Sequence, residues 1–440
     1  MNTISPRTLK GFRDFLSVEV WQRKKIMQVF IDTFEKYGFE PLETPVLEYF
    51  DILMGKYGDQ EKLVYNFEDF GGRKVAMKYD LTVPASRVLA QYPDKFILPW
   101  KRYQIQTVWR ADNTQKGRFR EFVQCDADVF GTISMTSDAE FISMGIEILN
   151  NLGFVDFQVR ISNRKLLNAF AKYINAEDKF MPIVFVVDDW AKRDEAGNKN
   201  ELSRIGLNEE QINKLESILN TPGNNSNKLA SLRNDLSGIA EAIEGLDEIE
   251  KIIKLVNDDK LVFDLTIARG LSYYTGPVWE WVINEGGVGS VGGCGRYDNL
   301  VGAYLGRNIP ATGGSFGFER ILEVMKERKM LVEEKTRIDV MVTVFDQSMT
   351  LRGIDLAVQF RKKGLNCFLY PEDKQMPKKL SYADKKNIRF VVILGENEIA
   401  ENKLMLKDMT TGEQNMLTFD EAINKISEIL IIKPPINKGD

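Results

Sequence analysis

KRYQIQTVWRADNTQKGRFREFVQCDADVF, residues 101–130, holds two stretches of alternating side-chain polarity around a polar, glycine-containing middle. Alternation at period two is the pattern of a strand whose two faces meet different surroundings. KRYQIQTVWR and FREFVQCDADVF are therefore expected to pair as antiparallel strands, joined by a hairpin-like segment centred on Gly117. That segment concentrates Arg110, Lys116, Arg118 and Arg120. On the second strand Phe122, Gln124, Asp126 and Asp128 share one face. An aromatic, an amide and two carboxylates are too polar for an apolar core. They suit the floor of a pocket for a cationic or hydrogen-bonding small molecule. A solvated sheet face carrying a basic loop is the plainer alternative.

RGLSYYTG, Arg269–Gly276, follows the apolar run Leu261-Val262-Phe263-Asp264-Leu265. Val262, Phe263 and Leu265 read as a buried strand, which brings Arg269 out at the rim of a sheet. A guanidinium there is a forked donor for phosphate or carboxylate. In an extended chain Tyr273 and Tyr274 point to opposite faces, so one packs while the other meets a ligand. An ordinary strand-to-turn corner with an exposed arginine explains the segment equally well taken alone.

Ser17–Tyr37 reads as an amphipathic helix, with Ile26, Val29, Phe30, Thr33, Phe34 and Tyr37 on one stripe and Gly38 as the stop. Ser137-Asp138-Ala139-Glu140 reads as a capping box opening a helix that closes at Gly153. Residues 165–259 turn helical and rich in Lys, Glu and Asn, interrupted by a loop over 220–227. The helix Phe318–Lys329 precedes a linker over 330–336. Strands follow at Val340–Phe345, Asn366–Leu369 and Phe390–Leu394, with a helix Thr350–Lys363 stopped by Gly364. This predicts a small α/β domain over 337–432 with mainly parallel pairing. Between Arg352 and Arg389 ten Lys or Arg face four acids, an excess of six. Phosphate-backbone contact and a solvated helix face account for that charge equally. Residues 433–440 read as a frayed tail.

With 440 residues the chain has room for two or three domains. A net charge of −5 confines any nucleic-acid surface to a local patch. Three cysteines, Cys125, Cys294 and Cys367, lie far apart without metal spacing, which fits a reducing compartment. MNTISPRTLKGF has no apolar signal core and no window reaches transmembrane length, so a cytoplasmic location without membrane partners is expected. The chain contains no histidine. That excludes imidazole general bases, His-dependent nucleophiles and His-ligated metals. A reaction whose attacking group is a carboxylate, ionised at neutral pH, needs none of them.

Taken together, these blocks resemble the histidyl-tRNA synthetases, a family of class II aminoacyl-tRNA synthetases, over nearly the whole chain. KGFRDF (Lys10–Phe15) and GFEPLETPVLE (Gly38–Glu48) are similar to the opening segment and first motif, with Pro45 as the motif proline. KYDLTVPASR (Lys78–Arg87) is similar to the amino-acid-binding segment, and Arg110–Gln124 to the second motif. RGLSYYTG resembles the histidine-specific element. GGCGRYDNLVG (Gly292–Gly302) and GGSFGFERI (Gly313–Ile321) complete the site, with Arg320 as the third-motif arginine.

The resemblance implies an α+β fold: a six- or seven-stranded class II antiparallel sheet flanked by helices. Residues 1–164 and 260–329 would be catalytic, 165–259 a helical insertion near the tRNA acceptor arm, and 337–432 an anticodon-binding domain. It implies ATP-dependent ligation of L-histidine to tRNA(His) through a histidyl-adenylate, with Mg²⁺ bridging the outer phosphates. Arg110 and Arg269 would be catalytic, gripping the α-phosphate and the substrate carboxylate. Arg118 and Arg320 would hold the γ-phosphate end of ATP, with Phe122 stacked on adenine. Asp80, Thr82 and Gln124 would bind the α-ammonium of the amino acid, and Leu81 would also line the histidine site. Asp128 and Tyr274, with Tyr273 alongside, would read the imidazole. No metal ligand is assigned to a protein side chain. The first motif implies a homodimer. Asn113-Thr114 and Asp112 depart from the family pattern in the loop facing the acceptor end. Cys294, interrupting a glycine run, is expected to narrow the pocket slightly. A non-catalytic regulatory or RNA-sensing paralogue is the rival reading, though such paralogues lose the arginines and the C-terminal domain that this chain keeps.

Overall fold

The computed structural model describes residues 4–268 and 273–430; Arg269 and the tail from Lys433 lie outside the described residues. The strands, in chain order, are β1 (Glu40–Pro41), β2 (Leu47–Tyr49), β3 (Asn66–Glu68), β4 (Lys74–Met77), β5 (Trp100–Trp109), β6 (Glu121–Phe130), β7 (Phe157–Asn163), β8 (Leu261–Phe263), β9 (Pro277–Ile283), β10 (Ser290–Arg296), β11 (Ala311–Gly317), β12 (Val340–Val344), β13 (Cys367–Leu369), β14 (Phe390–Leu394), β15 (Leu404–Asp408) and β16 (Gln414–Leu417). Two compact units divide them. One comprises the chain up to Phe15 together with Arg23–Leu331, the other Leu16–Gln22 together with the chain from Val332.

An eight-stranded sheet in the order β1-β5-β6-β11-β10-β9-β7-β8 dominates the first unit. Its six central strands pair antiparallel, and the short edge strands β1 and β8 add in parallel. The alternation in residues 101–130 therefore reports strand pairing correctly, with Arg102 opposite Asp128, Gln104 opposite Asp126 and Gln106 opposite Gln124. One face of β6 places Cys125, Ala127 and Val129 in an apolar core with Phe30, Phe34, Phe316 and Trp281. The other face is polar yet buried: Gln124, Asp126 and Asp128 all lie below solvent. A second three-stranded sheet, β2-β4-β3, and the helix Thr82–Gln91 stand in the chain between β1 and β5.

The N-terminal helix runs Ser17–Lys36 with Ile26, Phe30, Thr33 and Phe34 buried, and Gly38 follows at φ +76°. The expected stripe holds for these four, while Val29 is half-buried and Tyr37, also half-buried, lies just past the helix end; one buried residue is added. Arg23 is also buried, because its guanidinium pairs with Glu319. The capping box at Ser137 is not formed. The helix starts earlier, Met135–Asn151, and Ser134 caps it by accepting from Thr136 N–H. Asp138 is instead buried, accepting from Arg296 (2.5 Å) and Thr312 (2.7 Å). The buried strand is also corrected: Leu261, Phe263 and Leu265 are buried while Val262 is half-buried, since the apolar parity starts one residue earlier.

Residues 164–256 form six helices, among them Glu209–Leu219 and Asn225–Asp235, between β7 and β8. The expected loop over 220–227 is shorter, because Asn224 caps the second of these helices by accepting from Asn227 N–H.

In the second unit the sheet order is β13-β12-β14-β15-β16. β12 pairs in parallel with β13 and β14, but β14–β15 and β15–β16 are antiparallel. The expectation of mainly parallel pairing is therefore half right. The β15–β16 hairpin was missed because its alternation is short. The helix Thr350–Lys362 ends before Gly364 at φ +88°. Of the basic residues there, Lys379 is buried and donates to the Val344 carbonyl at 2.6 Å, and Arg389 pairs with Asp408. Arg352, Lys362, Lys363, Lys378, Lys385 and Lys386 are exposed.

Candidate active site

The polar face of β6 is the floor on which the site is built. Asp128 at its lower end ion-pairs with Arg102 of β5, and neither side chain is exposed. The Tyr297 hydroxyl donates to the same carboxylate from just beyond β10. Gly313 stands opposite Asp128 on β11, and a Cβ there would lie 2.4 Å from Asp128 Oδ1, so glycine is what admits the carboxylate. Burial still pushes the Asp128 carboxyl up, to about 7, against the pull of Arg102.

Arg102 is held in turn. It donates to Gln104 at 2.9 Å and to the Leu81 carbonyl at 3.3 Å. Gln104 donates to Thr44 Oγ1 and Gln106 Oε1, and Gln106 Oε1 also accepts from Lys78 at 2.7 Å. Lys78 is buried and also donates to the Thr44 carbonyl, and desolvation lowers its ammonium to about 8. A connected polar network thus underlies the floor.

Asp80 lies just before the helix Thr82–Gln91, buried, and accepts from Val83 N–H and the Tyr57 hydroxyl, both at 3.1 Å. Burial raises its carboxyl, while Val83 N–H and the charge of Arg110 pull it down. Leu81 and Thr82 are buried beside it. Gln124 donates to Ser315 Oγ at 2.8 Å, but its Oε1 is buried with no hydrogen-bond partner.

Arg110 closes the upper end. Its Nε donates to the Tyr79 carbonyl at 3.0 Å, and its guanidinium lies 4.2 Å from the Tyr79 ring centroid and 5.2 Å from that of Phe122. Arg118 is exposed in the loop, where Gln115 and Arg118 form a tight turn through Gly117 at φ +68°. Gly117 is pressed against the third-motif segment: a Cβ there would lie 3.2 Å from Arg320 Cγ. The loop thus meets Arg320 at Gly117, and the Arg320 guanidinium donates to the Ser290 carbonyl at 2.5 Å. The preceding Glu319 carboxylate is held by Arg13 and Arg23, both at 2.7 Å.

Tyr273 and Tyr274 do not point to opposite faces. Their ring centroids lie 4.8 Å apart, and Tyr273 meets Tyr297 edge-on at 5.7 Å. The chain turns here instead of extending. Cys294 does not narrow this pocket either, because it is buried in the apolar core on the far face of the sheet. Arg269 lies outside the described residues.

Sequence reading passed over Arg102, Tyr297 and Lys78. The alternation Arg102, Gln104, Gln106 was a usable signal for the first. Nothing local marks Tyr297 as a partner of Asp128, 169 residues away. Among the described residues no group of three or more acidic or cysteine side chains could hold a metal ion. No helix among them is long and apolar enough to cross a membrane.

An antiparallel sheet with a buried polar floor, a motif arginine above it and a glycine-rich strand beside it is the catalytic domain of a class II aminoacyl-tRNA synthetase. Residues 11–321 match the family model described as histidyl-tRNA synthetase, and 339–429 match an anticodon binding domain. The histidine--tRNA ligase of Cytophaga hutchinsonii is 38% identical, covering 96% of this chain and 99% of that protein. That of Aeropyrum pernix is 36% identical, covering 97% and 98%. The crystal structure of histidyl-tRNA synthetase from Nostoc sp. superposes with a TM-score of 0.84 at 32% identity, covering 97% of this chain and all of that one. The chain belongs to the histidyl-tRNA synthetase family.

Proposed function

We propose that this protein is a histidine--tRNA ligase that activates L-histidine with ATP, releasing diphosphate, and transfers the histidyl group to tRNA(His). The observation that carries this reading is the enclosed floor of Gln124, Asp126 and Asp128 with Arg110 set above it. The substrate carboxylate is already ionised and attacks phosphorus directly, so the protein must position and neutralise instead of abstracting a proton.

Arg110 has one N–H engaged by Tyr79 and its plane stacked, which fixes the remaining donors for the α-phosphate and the amino-acid carboxylate. Arg269 is its partner in that grip. Arg320, which Gly117 touches, and Arg118, the next residue of that loop, suit the outer phosphates, and Phe122 suits the adenine face. ATP brings Mg²⁺, a hard cation that takes oxygen ligands, on its own phosphates. The unpartnered Gln124 Oε1, with Asp80 and Thr82, receives the α-ammonium end, and Leu81 lines the histidine site beside them. The ring end lies among Asp128, Tyr273 and Tyr274. The exposed lysines of the second unit take the tRNA anticodon arm, and a homodimer forms through the first-motif segment.

Histidine-dependent ATP–diphosphate exchange, followed by charging of tRNA(His), tests the activity. Exchange with another amino acid in place of histidine, or none at all, overturns the reading. Light scattering at the mass of one chain overturns the dimer.

A further inference from the structure

Arg164 holds the chain at both ends of RGLSYYTG. It is the first residue of the helix Arg164–Tyr173, so its backbone N–H has no acceptor within that helix. That N–H donates to the carbonyl of Gly276, the last residue of the element, at 2.9 Å. The Arg164 guanidinium donates to the carbonyl of Ala268, the residue before Arg269, at 3.4 Å. The start of the helix is itself pinned. Asn163 caps it by accepting from Lys165 N–H, and its amide donates to the Gly245 carbonyl and, at 2.7 Å, to Glu248 on the helix Ala240–Val256. On its other side the Arg164 guanidinium meets Met181 Sδ at 3.3 Å and lies 4.9 Å from the Phe180 ring centroid, both on the helix Phe180–Asp188 of the insertion.

Arg164 is buried, and burial works against its charge while the charge of Asp188 supports it. Keeping a guanidinium in such surroundings costs the fold free energy, and an apolar side chain of similar length would fill the space beside Phe180 and Met181 at less cost. What the guanidinium adds is a planar fork that reaches the Ala268 carbonyl while resting against a ring. The two ends differ in what else holds them. Beside Gly276, Thr275 N–H donates to the Arg296 carbonyl at 2.8 Å and its hydroxyl to Asp298 at 2.9 Å. At the other end a recess of about 60 Å³, lined in part by Val187, Asp188, Ile267 and Ala268, lies against the chain. That space lets the Ala268 end shift once the guanidinium is gone. Resting on the histidine-ligase reading above, we propose that Arg164 is a positioning residue, which fixes the chain at both ends of RGLSYYTG and so sets how that element meets histidine. It touches no substrate itself. Through Phe180 and Met181 the same side chain ties the helical insertion to the element.

The test is Arg164→Met in the full-length protein, which keeps the backbone N–H and an apolar stem and removes the fork. In histidine-dependent exchange the KM for histidine should rise about tenfold, with the melting temperature near the parent's. A purely structural role would lower the melting temperature and kcat together and leave that KM unmoved, a result that overturns the proposal. A second test uses non-additivity, because Arg269 follows Ala268 directly. Arg164→Met combined with Arg269→Ala should lose less exchange than the product of the two single losses, and losses that multiply in full overturn the proposal. Where Arg164→Met does not fold, Arg164→Lys is read instead. It keeps the charge, but its compact ammonium lacks the fork that spans Ala268 and Met181. The KM for histidine should then rise about two- to fivefold, and a KM equal to the parent's overturns the proposal. If the unmodified protein gives no histidine-dependent exchange, the functional reading itself fails; if it does and Arg164→Met matches it, only this inference fails.

Discussion

Arg102 and Asp128 form an ion pair in which both side chains are fully buried. The cost of desolvating two charges is met only while each has the other, along with Gln104, the Leu81 carbonyl and Tyr297. Arg102→Met should therefore destabilise the protein by about 3–5 kcal/mol, read from urea unfolding. The double variant Arg102→Met with Asp128→Asn should recover much of that loss. A single variant as stable as the parent would show that the pair carries no weight.

Arg110 is held by the Tyr79 carbonyl and ring rather than by an acid, so its charge is left for a ligand. Arg110→Ala should lower exchange by about 10²–10³-fold with little change in melting temperature. Arg269→Ala should do the same, and loss of tRNA binding by either variant would contradict the assignment.

Gly117 combines a left-handed backbone with contact to Arg320. Gly117→Val adds strain of about 1–3 kcal/mol and displaces Arg118 and Arg320 together. The KM for ATP should rise severalfold while the KM for histidine holds, as steady-state exchange would reveal.

The floor carboxyls make stability depend on pH. Asp126 and Asp128 have folded-state values raised to about 8 and about 7, above their unfolded range. The stability they contribute is complete below pH 4 and is lost as pH rises through 7 to 8. Lys78 runs the other way: lowered to about 8, it favours the folded state more as pH climbs from 8 towards 10.5. Asp126→Asn should thus melt higher than the parent at pH 8.5 and lose the gap at pH 5, measured by calorimetry without ligand.

Lys378, Lys385 and Lys386 are exposed in the second unit. Reversing all three to Glu should raise the KM for tRNA and flatten its salt dependence, with exchange unaffected. Equal loss in both assays would place their role elsewhere.

Much was legible from local pattern. The alternation in residues 101–130 announced β5 and β6 and the polar face between them, because a strand shows its two environments at period two. The helix with Ile26, Phe30 and Phe34 was equally plain. Local signals failed where another element made a better offer. Ser137 lost the cap to Ser134, and Asp138 was claimed by Arg296, 158 residues away. Tyr273 and Tyr274 were judged as extended chain, but the chain turns there and Tyr273 packs edge-on against Tyr297.

What the amino-acid order determined by itself was the family, the strands of the site and the residues that could carry charge there. Only the tertiary structure decided which charges are spent and which are left. Register across β5, β6 and β11 sets Arg102 against Asp128 and places Asp126 between Gln104 and Ser315. Such partners come from distant segments, and a carboxylate's state depends on burial and on the donors within reach.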